Sequence, residues 1–197
     1  MPGVAVVTDT THYMPRAMAD AEGIHQVSLY VNWPEGATRE SDMPSFGAFY
    51  ERLRASEDLP TTSQPSIGDF LEVYEPLVAA GSDVISIHLG GGISGTVESA
   101  RQAAQQAGGR VEVFDSSTAC GGLGMVVLAA ARAARAGLGL DEVLARVRDA
   151  RAELKIWFAL DTLDYLQRGG RIGKAQAMLG AALKIKPILP AGAEGST

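Results

Sequence analysis

One strand–loop–helix unit in the middle of the chain constrains its fold more than any other feature. An apolar run over residues 83–87 predicts a buried strand, and small apolar residues at helical spacing over residues 97–107 predict a helix. The loop between them reads HLGGGISGT, at residues 88–96. A helix N-terminus after a glycine loop directs backbone N–H groups towards an anion, and Ser94 and Thr96 add hydroxyl donors. The unit therefore predicts an oxyanion site.

The glycine loop also matches other ligand-binding patterns, and one of them stays open. It contains G-x-G-x-x-G over residues 90–95, and Asp115 follows at the distance of the ribose-binding acid in a dinucleotide site. A nucleotide-binding enzyme is therefore the alternative hypothesis. Thr96 excludes two further patterns, because it stands where a P-loop has lysine and where a nucleophile elbow has glycine. In the simplest structural interpretation, Ser94 only caps the helix.

The composition excludes several classes of protein. The 197 residues are 46% hydrophobic, enough for one or two compact domains, and the net charge is −6. This acidic balance, without a basic patch, argues against nucleic acid as a partner and against a DNA-binding regulator. The single cysteine, Cys120, excludes an internal disulfide and fits a reducing cytoplasm. Three histidines without metal-like spacing and short apolar runs predict a cytoplasmic protein with no metal and no integral membrane contact.

Strands alternate with helices along the chain, which predicts an α/β fold with a mostly parallel, doubly wound sheet. The predicted strands are residues 4–7, 24–31, 83–87, 111–114, 156–160 and 185–189. The predicted helices are residues 15–22, 46–53, 67–77, 97–107, 121–136, 140–154, 161–172 and 175–183. In such sheets ligands bind at the carboxyl ends of the strands. Asp9 follows the first strand there, although we expect it chiefly to cap the next helix.

Two segments between the second and third strands add detail. After a capping serine, Ser45, an apolar stripe at helical spacing is expected to pack into the core; its members are Phe46, Phe49, Tyr50 and Leu53. The segment TTSQPS at residues 61–66 is rich in hydroxyls, and Pro65 forces the residue before it to be extended. Ser66 is expected to cap the following helix. This segment is therefore a second hydroxyl-rich loop leading into a helix.

Several motifs in chain order together resemble the DegV family. They are TSQPS at residues 62–66, the glycine loop at residues 87–100, and DTLDYLQRGGRI at residues 161–172. Thr8-Asp9 and Asp115-Ser116 agree with the same pattern, so the resemblance covers nearly the whole chain. It implies a bacterial fatty-acid-binding protein of two α/β domains, with the acyl chain in a tunnel between them.

The resemblance implies a carrier and not an enzyme. Members of the family hold the fatty-acid carboxylate with hydroxyls and present it to a fatty acid kinase catalytic subunit, and the acyl phosphate then enters phospholipid synthesis. The implied carboxylate ligands in this chain are Thr62 and Ser94, helped by the backbone N–H groups of Gly95 and Thr96. Arg171, in the GGRI motif, is implied near the cavity mouth and the partner surface. The long-chain fatty acid and the kinase are the implied partners, and no cofactor is expected.

The resemblance also implies how the chain is divided. Residues 1–160 correspond to the N-terminal α/β domain and residues 161–197 to the start of a second α/β domain, most of which is expected beyond Thr197. The strand predicted at residues 185–189 is then expected to be short of neighbours. One departure concerns the loop: Gly90-Gly91 stands where family members usually have two serines, which is expected to make the loop more flexible.

Overall fold

A computed structural model describes residues 3–173 and 188–191. Its centre is a four-stranded sheet built from β1 (Val4–Asp9), β2 (Ile24–Val27), β6 (Asp83–His88) and β7 (Val111–Asp115). The strand order is β2-β1-β6-β7, and every neighbouring pair is parallel. The predicted α/β fold with a parallel sheet is confirmed.

Helices cover both faces of this sheet. One face packs against α1 (Arg16–Ala21), α5 (Cys120–Arg135) and α6 (Leu140–Glu153), and the other against α3 (Ile67–Ala79) and α4 (Thr96–Gln106). Successive strand residues point to opposite faces, so Val6 joins the first core and Val7 the second. Both faces are therefore buried, which explains the nearly continuous apolar strands.

A smaller antiparallel sheet lies between the second and third strands of the central sheet in the sequence. It contains β3 (Tyr30–Trp33), β4 (Gly36–Arg39) and β5 (Thr61–Ser63), in the order β4-β3-β5. The single strand predicted over residues 24–31 is therefore wrong. The chain leaves the central sheet at Ser28, whose hydroxyl donates to the carbonyl of Leu29 (2.8 Å) and accepts from the amide of Ser41 (3.1 Å). The segment passes from one sheet to the other at residues 28–29, where the Ser28 side chain makes hydrogen bonds outside either strand ladder.

Helix α2 (Phe46–Ala55) follows the β3–β4 hairpin, and Ser45 caps it as predicted by accepting from the amide of Ala48. The expectation that its apolar stripe lies in the core is wrong. No residue of α2 is buried, and Phe46 and Tyr50 are 49% and 51% exposed. The small sheet covers only part of the apolar stripe of α2. The rings of Phe49 and Trp33 pack edge to face with their centroids 6.1 Å apart, and a cavity of about 210 Å³ lies between the helix and β3.

A two-stranded antiparallel sheet, formed by β8 (Ile156–Ala159) and β9 (Ile188–Ala191), lies apart from the central sheet. Between them the short helix α7 (Asp164–Arg168) falls within the helix predicted over residues 161–172. The helix predicted over residues 175–183 and the first part of the strand predicted over residues 185–189 lie outside the described residues. β8 precedes the predicted domain boundary and β9 follows it; the boundary after residue 160 stays a prediction.

Candidate functional site

The carboxyl ends of β1 and β6 meet at the centre of the parallel sheet. From β1 the chain moves outward to β2, and from β6 it moves outward to β7 on the other side. Open α/β sheets form ligand crevices where the strand order reverses in this way. Asp9 ends β1, His88 ends β6, and both side chains are fully buried at this point. The glycine loop begins directly after His88.

Asp9 fixes the start of the glycine loop. One carboxylate oxygen, Oδ2, accepts from the amide of Leu89 and lies next to His88 Nδ1, both at 3.0 Å. The other, Oδ1, accepts from the amide of Thr11 at 3.0 Å and caps a short 3-10 helix over Thr10–His12. Asp9 is therefore a cap residue, but not of the helix for which it was predicted, because Pro15 is the N-cap residue of α1. Burial has the largest single effect and raises the pKa of Asp9. The hydrogen bond and electrostatic attraction of His88, together with the hydrogen bonds from Thr11 and Leu89, outweigh burial and hold the pKa below its usual range.

The hydrogen-bond network continues from His88 to the face covered by α3. His88 Nε2 lies 2.6 Å from the hydroxyl oxygen of Ser86, which accepts from the hydroxyl of Tyr74 at 2.7 Å. Ser86, His88 and Asp9 thus have the order of a hydrolase triad, yet all three are 0% exposed. A nucleophile must reach its substrate, so we interpret the array as structural. The alternation of polar Ser86 and His88 on one face of a buried strand was the signal that could have revealed it.

The glycine loop packs closely against the turn that follows β7. The amide of Gly90 donates to the carbonyl of Thr118 (2.8 Å), and a Cβ on Gly90 would lie 3.1 Å from the backbone of Ser117. The amide of Gly91 donates to the carboxylate of Asp115 at 3.1 Å. The two glycines thus allow close approach. The sequence led us to expect a more flexible loop. In the structure, however, the amides of both glycines donate hydrogen bonds that tie the loop to the turn after β7.

The contacts of Asp115 also weaken the nucleotide hypothesis. Its carboxylate accepts from the amides of Gly91 (3.1 Å) and Ser117 (2.7 Å). The acid that would bind a ribose is therefore turned towards its own loop, and we do not propose a nucleotide enzyme.

The N-terminus of α4 carries no side-chain cap. Gly95 is the N-cap residue, and no side chain bonds to the first helical N–H groups. The hydroxyl of Ser94 instead lies 2.9 Å from the hydroxyl of Thr96, which is fully buried. The interpretation that Ser94 only caps this helix is wrong. The positive end of the helix dipole is left for another acceptor, beside a half-buried serine hydroxyl.

The second hydroxyl-rich segment reaches the first at this helix start. Thr62 lies in β5, paired with Val31 of β3, and its side chain is exposed. Two residues later, Gln64 Nε2 donates to the hydroxyl of Ser99 on α4 at 3.2 Å. The side-chain amide of Gln64 lies against Gly95, where a Cβ would be 2.5 Å from Gln64 Oε1. The structure thus brings together the segments that carry Thr62 and Ser94. Sequence reasoning did not single out Gln64.

Arg171 lies elsewhere in the described structure. It is exposed, and its guanidinium donates to the carbonyl of Gly169 at 2.7 Å, within its own turn. Its proximity to a cavity mouth stays a prediction. In residues 3–173 and 188–191, no three or more His, Cys, Asp or Glu side chains are placed to hold a metal ion. No helix in these ranges is both long and apolar enough to cross a membrane.

Comparison with known proteins decides the family. The family described as uncharacterised proteins of the DegV type matches residues 3–196. The chain belongs to the DegV family. Protein DegV of Bacillus subtilis is 40% identical over 189 residues, which cover 94% of this chain and 67% of the relative. A DegV domain-containing protein of Deinococcus radiodurans is 39% identical over 186 residues, covering 94% of this chain and 66% of the relative. The chain thus spans about two thirds of the length of these DegV relatives.

Two solved DegV structures have the same fold as this chain. A DegV family protein from Thermus thermophilus, described by its fatty acid binding, superposes with a TM-score of 0.89 at 37% identity, over 98% of this chain and 71% of that protein. DegV from Bacillus subtilis, described as a fatty acid binding protein, gives a TM-score of 0.88 at 38% identity, over 99% of this chain and 70% of that protein. Fatty acid binding is thus the property by which both of these neighbours are described.

Proposed function

We propose that this DegV chain binds a long-chain fatty acid and holds its carboxylate between the Thr62 segment and the N-terminus of α4. The observation that carries the proposal is the uncapped helix start at Gly95, with Ser94 beside it. The fatty acid binding described for two structures at 37% and 38% identity supports the choice of ligand.

The chemistry of the proposed site suits a carboxylate. The hydroxyls of Thr62 and Ser94 and the amides of Gly95 and Thr96 are hydrogen-bond donors, and a carboxylate has two oxygens to accept from them. The helix dipole adds a favourable interaction with negative charge. Each charge-assisted hydrogen bond of this kind contributes about 1.5–3 kcal/mol. No cation is required to hold the anion.

We also propose that the chain presents this carboxylate to a fatty acid kinase and makes no bond itself. The support is chemical: the donors of the proposed site are hydroxyls and amides, and the nearby Ser86–His88–Asp9 array is fully buried. A carboxylate held at the edge of the sheet, with its tail directed inward, would leave one oxygen accessible to a phosphoryl donor. The resemblance in motif order supports the same partner, with Arg171 proposed on the surface that faces it.

Titration with a charged and an uncharged ligand tests the binding site. We expect Thr62→Ala and Ser94→Ala to weaken oleate binding by about tenfold to a hundredfold, since about 1.4 kcal/mol corresponds to one decade of affinity. Binding of methyl oleate should change little, because the ester carries no charge. Ser63→Ala is the matched control: Ser63 neighbours Thr62 on β5, but its hydroxyl accepts from Asn32 at 3.3 Å on the other face.

Calorimetry and melting curves distinguish the outcomes. Equal losses for oleate and methyl oleate would show that these hydroxyls do not hold the carboxylate. Parent protein that takes up no oleate, and releases no fatty acid on denaturation, would contradict fatty acid binding itself. Adding purified kinase and ATP to the loaded protein and measuring acyl phosphate tests the presentation step separately.

A further inference from the structure

We infer that Gln64 is the positioning residue of the carboxylate site: it holds the Thr62 segment against the N-terminus of α4 and so sets the separation of the two hydroxyl donors. This inference rests on the proposed function.

The side-chain amide of Gln64 bridges two elements that are otherwise far apart in the chain. Its Nε2 donates to Ser99 Oγ, 35 residues later, at 3.2 Å. Ser99 is only 9% exposed and lies in the first turn of α4, so the acceptor is rigidly placed. The amide group lies directly over Gly95, the N-cap residue. One side chain thus fixes the distance from β5 to the start of α4.

The backbone between Thr62 and Gln64 transmits this constraint. Both residues lie on an extended segment, because Thr62 is in β5 and Pro65 restricts the residue before it to extended conformations. Residues i and i+2 of an extended segment point to the same face and are separated by about 6.6 Å. The hydroxyl of Thr62 therefore faces the side on which Gln64 meets α4. A shift of the Gln64 amide would move the Thr62 hydroxyl relative to Ser94.

Gly95 provides the complementary surface. A Cβ at this position would lie 2.5, 2.7 and 2.8 Å from Oε1, Nε2 and Cδ of Gln64. These atoms are the far end of a flexible side chain, so an added methyl group would displace the amide and leave the helix in place. Glycine at residue 95 therefore permits the bridge, independently of any ligand contact through its own amide.

The packing of α3 and α4 does not depend on this bridge. α4 is anchored through Ala100 and Ala103, both fully buried against the sheet, and α3 through Phe70 and Tyr74. Ser66 and Asp69 form a capping box that fixes the start of α3 without Gln64. Removing the Gln64 amide should consequently change the geometry of the donors while leaving the fold intact.

The test measures oleate and methyl oleate affinity by calorimetry in the full chain, with melting temperatures alongside. We expect Gln64→Ala to weaken oleate binding about tenfold, methyl oleate binding less than about twofold, and the melting temperature to change little. The control is Gln102→Ala, which removes an exposed glutamine whose amide donates to Glu98 within α4. It should leave both affinities unchanged.

A double-mutant cycle isolates the contact between Gln64 and Gly95. Gly95→Ala alone should weaken oleate binding to a similar degree, because the methyl group displaces the amide. In the Gln64→Ala background the same substitution should have little further effect, since the obstructed side chain is gone. Strictly additive losses would overturn the inference, because they would show that the two residues act separately.

Two outcomes of these titrations separate the positioning role of Gln64 from the fatty acid site itself. Parent protein that binds oleate, with Gln64→Ala unaltered or weakened equally for acid and ester, overturns the positioning role alone. Parent protein that binds neither ligand overturns the fatty acid site and the positioning role with it.

Discussion

Asp9 is a buried carboxylate that connects the first strand, the third strand of the central sheet and the glycine loop. Its two oxygens accept hydrogen bonds from Thr11 and Leu89 and contact His88. A buried charge is tolerated only when partners on several sides compensate for lost hydration. The same partners hold the start of the loop, so stability and site geometry depend on one residue.

We expect Asp9→Asn to destabilise the protein by about 1–3 kcal/mol at pH 7, because the amide nitrogen that replaces one carboxylate oxygen cannot accept a hydrogen bond and leaves a buried donor unsatisfied. The lowered pKa means that the folded state favours the ionised form. That stabilisation is present above the unfolded pKa of about 3.9 and is lost as the pH falls through the folded value. The difference in the free energy of unfolding between the parent and Asp9→Asn should therefore become smaller below about pH 4. Urea denaturation at pH 7, 5, 4 and 3 measures it.

Asp83→Asn is the control for this experiment. Asp83 forms an exposed ion pair with Arg110 at 3.8 Å, and such surface pairs contribute about 0–1 kcal/mol. It should alter stability little at any of these pH values. A difference between parent and Asp9→Asn that stays constant with pH would contradict the assigned role of the Asp9 charge.

At the level of elements, α2 differs from the other long helices because its apolar stripe is largely exposed. The stripe was expected in the core, but a three-stranded sheet with two buried side chains, Val31 and Trp33, cannot cover a whole helix face. Helices α3 and α4, by contrast, pack on the central sheet and bury Phe70, Tyr74 and Ala100 completely. Helical periodicity therefore predicted the helix but not its burial.

We expect Tyr50→Ser on α2 to cost less than about 1 kcal/mol, since Tyr50 is 51% exposed and loses mainly an edge-to-face contact with Phe49. Phe70→Ala on α3 should cost about 3–5 kcal/mol, because Phe70 is fully buried and its removal leaves a cavity. Chemical denaturation of both variants measures the difference. Similar losses would show that α2 is packed as tightly as α3.

At the scale of the whole molecule, the β8–β9 sheet has only two strands and is separate from the central sheet. A two-stranded sheet is at best marginally stable by itself. Trp157 on β8 and Ile188 on β9 are 65% and 67% exposed, and the register places both on one face. Exposed apolar side chains that share a face favour association.

We expect the chain to self-associate through this face, and Trp157→Ser to reduce both association and the binding of a hydrophobic dye. Light scattering over a range of concentrations measures the first effect and dye fluorescence the second. Acrylamide quenching provides an internal control, because the chain has two tryptophans and the other, Trp33, is only 9% exposed. Monomeric parent protein with little dye uptake would contradict the expectation.

The sequence by itself determined the helices that cover the central sheet, the positions of its strands and their parallel arrangement. The strand–glycine–helix unit, the serine caps at Ser45 and Ser66, and the alternation of strands with helices all follow from interactions within a few residues. Motif order also identified the family. The implied ligands Thr62 and Ser94 stay predictions, although the structure places their segments side by side.

Only the tertiary structure decided the contacts that join distant segments. Asp9 and His88 are 79 residues apart, and Gln64 and Ser99 are 35 apart, so neither pairing has a local signature. The division of residues 24–31 between two sheets and the exposure of α2 depend on which surfaces are available to cover an element. Local propensity specifies a conformation, whereas burial and hydrogen-bond partners are fixed only when the strands align.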